Sequence, residues 1–102
     1  MMNNAEINKA LNNLSKLDKV RNLDDNIKDA FDIIELCRPN IANQEIREKE
    51  KRSLLFVEKM IKERKEILSD PYFSDIREAF AKYEEICLAM IILYRGEIAL
   101  YE

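Results

Sequence analysis

The chain has 102 residues, 47% of them hydrophobic and 36% charged, with a net charge of −3; that is one domain's worth of chain, with enough apolar material to argue against disorder. It holds no His, no Trp, no Thr and a single Gly. Imidazole catalysis, His-based zinc sites and glycine-rich phosphate loops are thereby excluded, and β-hairpins lack their usual turn residues.

Leu, Ile, Ala, Glu and Lys dominate instead, so the expectation is an all-α fold. Its form is predicted as a four-helix-bundle-like single domain with a long third helix and a central, heptad-patterned fourth helix. In the first predicted helix, about 4–17, Ile7, Ala10, Leu11, Leu14 and Leu17 share one face, with Asn8, Lys9, Asn12, Asn13 and Lys16 opposite. The stretch "DKVRN" reads as a hinge. The second helix, 23–38, carries Leu23, Ile27, Ala30, Phe31, Ile34 and Cys37 at steps of three and four. It ends where Pro39 pushes Arg38 out of helical geometry.

The third helix, 43–68, has Asn40 or Asn43 as its N-cap and meets no breaker before Asp70. Its second half is apolar along Leu54, Val57, Ile61 and Leu68. From Glu45 to Arg52 only Ile46 is apolar. Glu45–Lys49, Glu48–Arg52 and Glu58–Lys62 are spaced as intrahelical ion pairs. Arg64 lies near the apolar seam, where its guanidinium is expected to find a carboxylate.

"SDPYFSD" marks a turn, with Asp70-Pro71 or Ser74 opening the fourth helix, about 72–95. Ile76, Phe80, Tyr83, Cys87, Met90 and Tyr94 form its heptad seam. Gly96 reads as the helix stop and residues 96–102 as a tail. Within this helix, "ICLAMIILY" sets nine apolar or aromatic residues in a row. A five-residue link would place that run opposite residues 48–56, whose polar side cannot cover it. The cover then comes from the first two helices, from a second copy of the chain, or from both. The reading favours a homodimer pairing through the fourth helix and tail, with a monomer wrapped by the first two helices as the alternative.

The candidate interface residues are Tyr94, Tyr101, Met90, Ile91 and Leu88, because aromatic and large apolar side chains supply contact area at low entropic cost. Residues 39–68 carry eight basic and six acidic groups, and Arg47, Lys49, Lys51 and Arg52 are the candidate anion or nucleic-acid contacts. Every basic run there alternates with Glu, whereas phosphate binding calls for uncompensated cations. Cys37 and Cys87, fifty positions apart among apolar neighbours, read as buried thiols. No catalytic, cofactor-binding or metal-binding residues are assigned.

Three function classes follow. The leading one is a non-catalytic helical protein–protein interaction or regulatory protein, with itself and a further protein as partners. The second is a small nucleic-acid-associated regulator, and the third a compact all-α enzyme with an Arg/Lys/Glu site. For the third, Arg21, Arg38, Lys51 or Arg52 and "IRE" at 76–78 are loosely similar in layout to the small all-α chorismate mutases, which would imply a dicarboxylate gripped by cations. Small four-helix bacteriocin immunity proteins are similar in size and helix content. The Ile/Lys/Glu/Asn bias resembles that of accessory proteins from AT-rich viruses, phages or plasmids. The apolar run is far short of the roughly 20 residues a membrane span needs, and a cytoplasmic protein (host cytoplasm, if viral) is expected.

Overall fold

The computed structural model describes residues 3–102. It is all-helical, with no strand among the described residues, and it has three α-helices, not the four expected. These are α1 (Asn4–Cys37), α2 (Gln44–Leu68) and α3 (Arg77–Ala99), with single 3-10 turns at Arg38–Asn40 and Pro71–Phe73.

The first two predicted helices are one. Nothing between Asn4 and Cys37 breaks a helix, since Gly and Pro are both absent there. What looks like a hinge at "DKVRN" is a change of phase. At about 100° per residue, the stripe Ile7–Leu11–Leu14 lies nearly half a turn from the stripe Val20–Ile27–Ile34. A continuous helix carries both, on different sides. Asn3 caps α1 by accepting from the Glu6 amide. Arg38 still adopts helical φ and ψ, and Pro39 sits in the 3-10 turn that follows, so the helix ends where the proline requires.

Asn43, not Asn40, caps α2, accepting from the amides of Glu45 and Ile46. Glu48 pairs with Lys51 and Glu58 with Arg95 of α3, in place of the expected partners four residues on. The α2–α3 link takes residues 69–76, more than the five anticipated. Asp70 caps the 3-10 turn through the Tyr72 amide. Ile76, not Ser74, is the N-cap of α3 and offers no side-chain bond. Instead, the Arg77 guanidinium donates to the carbonyls of Leu68, Ser69 and Asp70, closing the end of α2. Because the link is longer, each residue of α3 lies nearer the linker end of α2 than predicted: Tyr83 stacks on Arg64, and Arg95 reaches Glu58. Gly96 does not stop α3, which runs on to Ala99.

The molecule is a rod of 62 × 20 × 15 Å with a radius of gyration of 17.4 Å, well above the about 13 Å of a compact domain of 100 residues. The main core joins Leu23, Ile27, Phe31 and Ile34 of α1 to Leu54, Val57 and Ile61 of α2 and to Cys87, Ile91, Tyr94 and Ile98 of α3. A smaller cluster of Val20, Leu68 and Phe73 closes the linker end. No helix among the described residues is long and apolar enough to cross a membrane. Residues 4–12 of α1 project past the linker; of them only Ala10 is even half-buried.

Candidate interaction surface

Two polar clusters fix α3 on the α1–α2 hairpin and so decide which of its faces stays outside. In the first, Arg64 of α2 is buried, and its Nε donates to Asp24 Oδ1 of α1 at 2.6 Å. The guanidinium is held between the rings of Phe80 and Tyr83 of α3, 5.5 and 5.3 Å from their centroids. A cation so placed keeps both a counter-charge and two aromatic faces. Burial raises the Tyr83 hydroxyl to about 12 and also raises the neighbouring Cys87 thiol.

The second cluster lies near the far end. Arg38 forks across Glu97 of α3, Nε and Nη2 each donating to one carboxylate oxygen, while Nη1 donates to Glu35. Its guanidinium also lies over the Tyr94 ring, 5.3 Å from the centroid. The Tyr94 hydroxyl donates to Glu35, which lowers the Glu35 carboxyl below its ordinary range, with Arg38 assisting. Burial first, and then the Glu35 hydrogen bond, lift Tyr94 to about 12. Beneath these groups lies Glu50 of α2, wholly buried, neither of its oxygens bonded within the protein. Desolvation, and then the charge on Glu97, push its pKa up.

The candidate interface residues do not share one face. Tyr94 and Ile91 lie in the core, Met90 packs against it half-buried, and Leu88 and Tyr101 are exposed. Tyr101 lies under the Arg47 guanidinium. Of the four candidate anion contacts, Arg47 donates to the carbonyls of Ile41 and Ala42 and lies beside Glu102. Lys51 pairs with Glu48 and Glu102. Lys49 and Arg52 are exposed in a shallow depression that also holds Glu45 and Glu48. Among the described residues, no three His, Cys, Asp or Glu side chains converge to hold a metal ion.

What stays outside is apolar. With Cys87, Ile91, Tyr94 and Ile98 turned inward, the opposite side of α3 presents Ala89, Ile92, Leu93, Gly96, Ala99 and Leu100. Ile92, Leu93 and Leu100 are 72, 68 and 84% exposed. The two charged residues between Ile86 and Tyr101, Arg95 and Glu97, are paired with Glu58 and Arg38. The apolar run is therefore covered on its inner side by α1 and α2 and bare on its outer side, rather than sheltered all round. Of the heptad seam, Cys87 and Tyr94 are on the inner side and Met90 partly so, whereas Ile76 precedes the helix and is exposed, and Ile91 and Ile98 complete the inner side from outside the seam.

Comparison with protein-family models, with curated proteins and with solved structures finds no match.

Proposed function

We propose that this is a non-catalytic helical interaction protein that works as a homodimer, with the outer side of α3 as its principal contact. The observation that supports this is the unbroken apolar surface from Ala89 to Leu100. Monomers expose scattered leucines, but a contiguous patch above a few hundred Å² marks a contact site. The polar clusters beneath α3 are committed to holding the helix, and the cations of α2 are largely matched by Glu, so neither offers a better-defined site. A regulatory role, in which this surface also engages a second protein, belongs to the same reading.

Sedimentation over a range of concentrations tests it. The native chain is expected at twice its mass of 12.1 kDa. Leu93→Glu, a change at a position exposed in the single chain, is expected to keep the helical signal and sediment as a monomer. A native protein that stays monomeric at millimolar concentration, with Leu93→Glu indistinguishable from it, would overturn the reading.

A further inference from the structure

Building on the dimer reading above, we propose how the two copies meet: they lie antiparallel about a two-fold axis, and the projecting start of α1 in each covers the outer side of α3 in the other. The single chain leaves several apolar side chains uncovered, Leu36, Leu55 and Phe56 among them, and two of its uncovered surfaces match. One is the stripe Ile7, Leu11 and Leu14 on the part of α1 that runs past the linker. All three side chains are exposed, although Lys16 on a neighbouring face of the helix pairs with Asp70 of the linker. The other is the outer side of α3 from Ala89 to Leu100. At 1.5 Å per residue the stripe spans about 10 Å and the α3 surface about 16 Å.

Their placement along the rod also matches. α1 and α3 run parallel, with Glu35 beside Tyr94 and Arg38 beside Glu97, so the stripe and the α3 surface lie at opposite ends. Turning a second rod end for end, with full overlap, brings each stripe level with the other copy's α3. Ile7 then falls level with Gly96, Leu11 with Leu93 and Leu14 with Ala89, to within about one residue. By the same count of 100° per residue, the stripe lies about a quarter turn round α1 from the flank that carries Glu35 and meets α3.

Gly96 supplies an independent reason. A glycine inside a helix costs about 1 kcal/mol against alanine. Its φ is not positive, and a Cβ built on it would meet nothing within 4 Å. Nothing in the single chain needs the missing side chain. A helix from a second copy, seating Ile7 over that gap, does. Fully buried, the exposed parts of Ile7, Leu11 and Leu14 with those of Ile92, Leu93 and Leu100 come to roughly 700 Å² per copy, close to one side of a standard stable interface. The contact is the same in both copies and closes on itself, so it ends at two chains and makes no filament.

The test uses two single-cysteine additions on the full chain, Leu11→Cys and Leu93→Cys, one of them carrying a mass tag, with Cys37 and Cys87 left buried in place. Within one chain the two positions are about 35 Å apart along the rod, so any bridge joins two copies. Mild oxidation of the mixture is expected to give mainly the mixed disulfide dimer. Self-linked Leu93→Cys with Leu11→Cys left unlinked would mean that α3 pairs with α3; it would overturn this arrangement and leave the homodimer standing. No linked species, with sedimentation at twice the chain mass, would likewise remove the arrangement alone. No linked species with monomer mass would remove both.

Discussion

Glu50 is the residue whose chemistry is least comfortable. Its carboxylate has no exposed surface and no hydrogen bond, and it faces Glu97, Glu35 and Arg38, the last already forked between the two other carboxylates. Its folded pKa is raised, so the native state holds this proton more tightly than the unfolded chain. Below the unfolded value near 4.5 both states are protonated and the cost of burying the charge is absent. As pH rises through the folded pKa that advantage is lost and stability falls. Glu50→Met is therefore expected to raise the unfolding free energy by about 1–3 kcal/mol at pH 7.5, and by much less at pH 4.5. Paired urea titrations check this; an equal effect at both pH values would show that the carboxyl is not the cause. Asp24→Ala should act in the other direction, costing about 2–4 kcal/mol by leaving the buried Arg64 without its counter-charge. The two aromatic rings against the guanidinium keep that loss below a full orphaning.

Arg64 and Glu50 also show how far single residues can be read from sequence. Arg64 lies one turn before Ile67 and Leu68, so its need for a carboxylate follows from position alone, though Asp24 as the partner does not. Glu50 is harder. It falls in a stretch that looks polar on every side, yet it stands four residues before Leu54, in line with Val57 and Ile61. The stripe runs through it. What periodicity cannot give is the third side of the enclosure, which comes from Arg38 and Glu97, 12 and 47 positions away.

At the level of elements, the instructive case is α1. Two apolar stripes out of phase suggested two helices, but a phase change is not a break when every residue between is a tolerable helix former. The shift has a physical meaning: the second stripe serves the chain's own core, while the first turns elsewhere. Asn22→Pro separates the two readings. A hinge would accept it, whereas in the continuous helix it removes a hydrogen bond and clashes with the preceding turn, at an expected cost of about 3 kcal/mol. Loss of helical signal and a lower denaturation midpoint are the measurements. Gly96 is the counterpart on α3. Gly96→Ala has room for its Cβ and is expected to favour the helix by about 1 kcal/mol, while weakening self-association if a side chain from another copy is seated there. Calorimetry of dilute protein and sedimentation of concentrated protein should then move in opposite directions.

For the whole molecule, the all-α class was legible because composition leaves no other choice, and helix ends were legible wherever Pro39, Asn43 or Asp70 sits. Shape was not. The 62 Å length comes from α1 being unbroken, which the absence of Gly and Pro from 4–37 permits but the phase change masks, and the eight-residue α2–α3 link that sets the register of α3 carries no sequence signal of its own. The rod gives a further expectation for scattering. An antiparallel, fully overlapped pair doubles the mass but leaves the longest dimension near 62 Å, whereas end-to-end association would approach twice that.

Cys37 and Cys87, both buried and unbridged, give the rod an internal clock. Cys87 sits on the inner side of α3, and Cys37 at the end of α1 beside the Arg38 fork that grips Glu97. The Cys87 sulfur cannot meet a reagent from solvent until the third helix lifts from the hairpin. The pace at which an alkylating agent consumes Cys87 thus reads out how often that helix departs and returns, without a label and in the native chain. Severing the fork with Glu97→Gln should make that clock run faster long before it lowers the temperature at which the rod melts.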